Sequence, residues 1–82
     1  MPRVHIVYTH SAMLLDRRPY ASWREIQDAY PDYMASLGPW AMDEILDFLG
    51  YDFGHESEWP FSRRQIEDFF RSGEDMLRRT FR

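Results

Sequence analysis

"RVHIVYTHSAMLLDRR", residues 3–18, decides how this chain must fold. Val4, Ile6 and Tyr8 alternate with His5, Val7 and Thr9, the period of two that sends successive side chains to opposite faces of a strand. Residues 3–10 are the only strand-like run, and with apolar groups on both sides of the alternation they read as a half-buried strand. A lone strand leaves N–H and C=O groups unpaired along both edges, so it requires a partner. The "AMLLDRR" segment can return as a second strand and make a hairpin. An extended stretch from the 51–61 loop, a second copy of the chain or another protein's sheet are the alternatives.

Outward from this region the sequence reads as helix. Ser22 and Glu25 in "SWRE" have the spacing of a capping box, starting a helix that carries Trp23, Ile26, Ala29 and Tyr30. Pro31 ends or kinks it, because proline lacks the N–H and clashes with the preceding turn. "DYMASLG" reads as a second helical piece that stops at Gly38. Pro39 then opens "PWAMDEILDFLG", where Met42, Ile45, Leu46 and Leu49 form a core stripe widened by Ala41 and Phe48. "YDFGHESEWP" is a loop. Ser62 and Gln65 cap a last helix, with Phe61 and Ile66 as its hydrophobic staple and Ile66, Phe69, Phe70, Leu77 and Phe81 as its stripe. Gly73 weakens its middle, with a bend or a restart at Ser72.

The expected fold is therefore a single α+β domain over residues 1–82, a short N-terminal strand or hairpin followed by a compact bundle of three to four helices. The strand or hairpin occupies residues 1–20, helices 21–50, a loop 51–61 and the C-terminal helix 62–82.

Composition narrows the chemistry. There is no cysteine, which removes disulfides, thiol catalysis and Cys-ligated zinc and fits a reducing cytoplasm. No apolar run has the length of a membrane span, and no secretory signal is visible. All ten basic residues are Arg, so lysine Schiff-base chemistry is excluded. The absence of Lys and Asn together fits a GC-rich coding bias. Fourteen of 82 residues are Phe, Tyr or Trp, which compensates a short chain with large buried rings. The net charge of −4 is unevenly spread: residues 1–27 carry +2, residues 28–61 carry −8 without a cation, and residues 62–82 carry +2. An acidic segment of this kind is either neutralised by the chain's own Arg residues or offered to a basic partner.

Asp52, His55, Glu56 and Glu58 are oxygen and imidazole donors, but they match neither the zinc helix nor the calcium loop, so no metal and no cofactor is expected. Asp43 and Asp47 lie one helical turn apart, yet the apolar stripe turns them to solvent, where carboxylates have ordinary acidity. His5 and His10 fall on opposite faces of a regular strand and share no site. No catalytic constellation is present, and the chain reads as non-enzymatic.

Trp40, Asp43, Glu44 and Asp47 share one face of the helix that Pro39 opens, opposite its core stripe. Tyr51, Asp52, Phe53, Glu56, Glu58 and Trp59 extend this acidic–aromatic character into the loop. Aromatic anchors ringed by charge are the composition of a binding hot spot. The expected function is a small inhibitor, adaptor or regulator that docks this surface onto a basic site of a larger protein. If that partner grips nucleic acid, the carboxylates would occupy its phosphate sites, in the manner of phage anti-defence and host-takeover proteins as a class. One alternative is a DNA-binding regulator using Arg63, Arg64, Arg71, Arg78 and Arg79 on the C-terminal helix, against which stands a pI near 5.2. Another is a homo-oligomeric structural component, a homodimer being the simplest.

Overall fold

The structure is a computed structural model and describes residues 3–80. The hairpin forms: β1 (Val4–Thr9) and β2 (Ala12–Asp16) pair antiparallel, with Ile6 opposite Leu15 and Val7 opposite Leu14. Thr9 fastens the turn, its Oγ1 accepting from the Ala12 N–H at 2.9 Å and the Ser11 N–H at 3.3 Å. Side-chain oxygens that reach the backbone two or three residues on are a standard means of closing a turn.

The expected helical bundle is not found. The hairpin is the centre of a four-stranded antiparallel sheet in the order β3-β1-β2-β4, accompanied by three α-helices. Two segments read as helix are strands. Residues 33–40, inside "DYMASLGPW", form β3 (Tyr33–Trp40) along the free edge of β1. Residues 76–80, "MLRRT", form β4 (Met76–Thr80) along the free edge of β2. The reason lies in backbone accounting. With both faces of the hairpin buried, its outer N–H and C=O groups have no water to turn to, and pairing them outweighs the small differences in local propensity. The half-buried reading of residues 3–10 is corrected in the same way, because Val4, Ile6 and Val7 are all fully buried.

Both faces are covered by helix. On one, Val4, Ile6, Met13 and Leu15 pack against Ile45 and Leu49 of α2 (Met42–Phe53) and Ile66 and Phe69 of α3 (Arg63–Arg71), with Trp59 and Phe61 between them. On the other, Val7, Ala12 and Leu14 pack against Ile26 of α1 (Trp23–Ala29), ringed by Tyr20, Tyr30 and Tyr33. The core stripe on α2 is as the spacing requires: Ile45 and Leu49 are buried, and Met42, Leu46 and Phe48 are partly buried against the core.

Helix ends follow their caps unevenly. At α3, Ser62 Oγ accepts from the Gln65 N–H at 3.0 Å while Gln65 Oε1 accepts from the Ser62 N–H at 2.9 Å, a complete capping box. At α1, Ser22 occupies the N-cap but its side chain makes no cap bond; Glu25 instead accepts from the Ala21 N–H at 2.8 Å. α3 stops at Arg71 rather than running through Gly73. Its terminal carbonyls, Phe69 O and Ser72 O, accept from the two terminal nitrogens of Arg17, whose guanidinium also lies 4.5 Å from the Phe69 ring centroid. A cation at a helix C-terminus satisfies orphan acceptors and complements the dipole. Phe81, assigned by sequence to the last helix's stripe, and Arg82 lie outside the described residues.

The edge strand β3 carries two irregularities, one between its Trp40 and Leu37 pairings and one between Ala35 and Tyr33. Gly38 sits in the first with φ +105°, and a Cβ there would meet Val4 O at 2.9 Å and Trp40 N at 3.0 Å. Only glycine fits such a position. Pro39, which cannot donate to a ladder, is tolerated because β3 is an edge.

Candidate functional site

The sequence-derived recognition surface divides in two. Asp43, Glu44, Asp47, Tyr51, Asp52, Glu56 and Glu58 are all exposed, on α2 and on the short 3₁₀ turn Glu56–Glu58 that follows it. Tyr51 keeps 93% of its surface in solvent. Trp40, Phe53 and Trp59 turn inward. Trp40 is not on a helix face at all: it is the last residue of β3, because α2 begins at Met42 rather than at Pro39. Its ring packs against Phe48 at 5.4 Å. Trp59 is only 8% exposed, inside the main core, with its indole N–H donating to Gly54 O at 3.1 Å. Phe53 packs at the margin of that core. Of these aromatic groups Trp59 is core, Trp40 and Phe53 are partly buried against it, and the fully exposed part of the surface is acidic with one tyrosine.

Internal neutralisation of this surface is slight. Arg63 pairs with Glu56 at 2.9 Å, while Arg64 and Arg71 flank Asp68. Among the described residues Asp43, Glu44, Asp47, Asp52 and Glu58 form no ion pair. Glu44 serves locally, accepting from the Ala41 N–H at 2.9 Å to start α2. Asp43, Leu46, Asp47, Gly50, Trp59 and Arg63 line an open depression of about 450 Å³. Two carboxylates beside apolar side chains suit the planar head and aliphatic stem of an arginine, and Arg63 is the chain's own cation in the same depression. Asp52, His55, Glu56 and Glu58 are exposed, and among the described residues no group of three such donors is drawn together.

The Arg residues assigned to the nucleic-acid alternative are also separated. Arg63, Arg64 and Arg71 are on α3, the first and the last two engaged with Glu56 and Asp68. Arg78 and Arg79 are on β4, not on a helix, and Arg79 donates to Pro60 O at 3.3 Å. The five Arg residues of that reading therefore do not share one helix.

A second polar constellation was missed from the sequence. Asp16, at the end of β2 opposite His5, is fully buried beneath the α1 side of the sheet. Its Oδ1 accepts from the backbone N–H of Arg18 at 2.9 Å and from Arg18 Nε at 3.1 Å. Its Oδ2 accepts from Arg18 Nη2 at 2.8 Å, Tyr20 OH at 2.7 Å and Tyr30 OH at 2.5 Å. Burial alone would raise its pKa, but the donors from Arg18, Tyr30 and Tyr20 prevail and hold it below the usual carboxylate value. The same contacts act in reverse on the partners. Burial, then the hydrogen bond to Asp16, pushes Tyr20 up to about 12, and Tyr30 rises for the same reasons. The His5 ring meets Tyr20 edge-on at 5.5 Å, and its pKa is lowered by burial, with Asp16 opposing in part.

The signal was available in the sequence. Continuing the period of two from Ala12 and Leu14 places Asp16 on the same buried face, and a buried acid demands donors. Among the described residues no helix is long and apolar enough to cross a membrane. Comparison with models of known protein families, with curated proteins and with solved structures found no match.

Proposed function

We propose that this chain is a non-enzymatic protein-binding module that docks the exposed face of α2 and the following 3₁₀ turn onto a basic surface of a larger protein. The observation that carries the reading is the pair Asp43 and Asp47, exposed and without an ion partner among the described residues, in a depression that Leu46, Gly50, Trp59 and Arg63 also line. Unpaired surface carboxylates raise on-rate and select against acidic partners, while the depression gives one inserted Arg a defined seat. Tyr51 supplies an exposed aromatic contact on the same helix. The regulator or inhibitor role follows from this chemistry: a patch that mimics the charge of phosphate competes for an Arg-rich site.

The test uses the full chain immobilised at low salt, beside an Asp43→Arg, Asp47→Arg double variant. A host protein retained by the wild type, released by added salt and lost from the variant supports the reading. Equal retention by both chains at low salt refutes it. Binding of random duplex DNA at about 50 mM salt would instead support the nucleic-acid alternative, since phosphate contacts strengthen as salt falls.

A further inference from the structure

The two faces of the sheet are covered unequally. Against Val4, Ile6, Met13 and Leu15, the α2–α3 side sets Ile45, Leu49, Trp59, Phe61, Ile66 and Phe69, all buried. Against Val7, Ala12 and Leu14, which are just as deeply buried, α1 sets a single side chain. Of its seven residues only Ile26 is buried, and the others are all exposed.

Little else holds α1 in place. The segment that carries it is anchored at Arg17, whose N–H donates to Asp75 O at 2.8 Å, and at Asp32, whose backbone O accepts from the His10 N–H at 3.0 Å. Between these anchors, among the described residues, the one backbone–backbone bond that reaches the sheet is Tyr33 N–H to Tyr30 O, in the turn leading into β3. Arg24, Glu25 and Asp28 form no ion pair among the described residues, and Arg24 stands over its own neighbour Trp23 at 5.3 Å. What remains is Asp16. Tyr20, just before the helix, and Tyr30, its C-cap, donate to the same Oδ2 at 2.7 and 2.5 Å, so one carboxylate on β2 holds α1 at both ends. Arg18, in the same segment, donates to that oxygen at 2.8 Å and to Tyr30 OH at 3.1 Å.

We propose that α1 is a lid, which swings about its anchors at Arg17 and Asp32 when the two tyrosine bonds to Asp16 release, and uncovers Val7, Ala12 and Leu14 while the α2–α3 side of the domain stays folded. Sub-global opening is drawn from elements with few buried apolar contacts, and one buried isoleucine on this face against two helices' worth of core on the other sets the order in which the sides give way. The lid is independent of the acidic surface on α2, which belongs to the side that stays closed.

The chain has no cysteine, so one introduced thiol is a unique probe of opening. Leu14→Cys and Leu15→Cys place it at adjacent positions of β2, the first under α1 and the second under α2 and α3. Fraying of the strand exposes both, whereas the lid exposes only the first. The test is alkylation of the full chain by dilute iodoacetamide without denaturant, followed by mass spectrometry, with folding checked by circular dichroism. The expected result is labelling of Leu14→Cys at least tenfold faster than of Leu15→Cys. Adding Tyr30→Phe, which removes one bond to Asp16, speeds labelling of Leu14→Cys a further tenfold or more. Adding Ile66→Val, which weakens only the side that stays folded, speeds Leu15→Cys and leaves Leu14→Cys unchanged. Val7→Cys and Ile6→Cys, which pair with these positions, repeat the comparison if either leucine variant fails to fold. Equal rates at the two positions, no effect of Tyr30→Phe on Leu14→Cys, or equal responses of both thiols to Ile66→Val overturns the proposal.

Discussion

Replacing Asp16 by Asn keeps the shape of a fully buried side chain while removing its charge and turning one acceptor into a donor. In the native cluster five donors converge on the carboxylate, three from Arg18 and one each from Tyr20 and Tyr30. The new amide would face donors with a donor. Losing one partner of a buried pair costs about 3–5 kcal/mol. The Arg18 side chain keeps 39% of its surface in solvent, so water takes up part of its stranded charge and the lower end applies, about 3 kcal/mol. A domain of this length has a total stability on the order of 4–12 kcal/mol. The expected loss lowers the melting temperature by roughly 12–24 °C at about 4–8 °C per kcal/mol. Urea unfolding followed by far-UV circular dichroism, beside thermal melts, measures it. Asp43→Asn, at an exposed and unpaired carboxylate, is the control and should change stability by less than about 0.5 kcal/mol. If Asp16→Asn costs no more than the control, the cluster contributes nothing and the reasoning fails.

Stability against pH, read from chemical-denaturation midpoints, should form a plateau with a fall on each side. His5 and Asp16 have folded pKa values below their ordinary 6.5 and 3.8, so the unfolded chain binds more protons and stability drops as pH falls through each range. Tyr20 and Tyr30 are raised above 10.0, so stability drops again as pH climbs past that value; a flat profile there would contradict the cluster. Gly38→Ala should cost more than about 1 kcal/mol in the same unfolding assay, because its Cβ meets Val4 O at 2.9 Å in a positive-φ conformation. Gly73→Ala, with nothing within 4 Å, should be neutral or stabilising by about 0.4–1 kcal/mol. Ser62→Ala should lose about 1 kcal/mol with its capping bond, whereas Ser22→Ala, which breaks no cap bond, should lose a few tenths; equal losses would dissociate cap geometry from cap energy.

What was legible in the sequence was local. The alternation at Val4–Thr9, the return of "AMLLDRR", the Ser62–Gln65 cap and the stripe at Ile45 and Leu49 each depend on neighbours within a few residues, and each is present. "DYMASLG" has no residue that forbids a helix, and what made it a strand was the edge of β1, about 30 residues away. The same holds for "MLRRT", where Ser72 and Gly73 were read as a bend although they end α3 outright. Trp40 was misplaced by starting α2 three residues too early, which put it on a helix face although it is the last residue of β3. The acids survived these errors because charge at Asp43 and Asp47 is turned outward by the stripe opposite.

The strand order has a consequence for the order of synthesis. β2 is complete by residue 16, but its outer neighbour is not translated until residues 76–80. While the chain is being made, β2 exposes the edge that β4 pairs with in the finished sheet. A ribosome-bound or prematurely terminated chain is therefore a template for pairing with its neighbours, and the last strand acts as the closure that removes the hazard. Arg78 and Arg79, exposed on that strand, then place like charges along the one outer edge it creates.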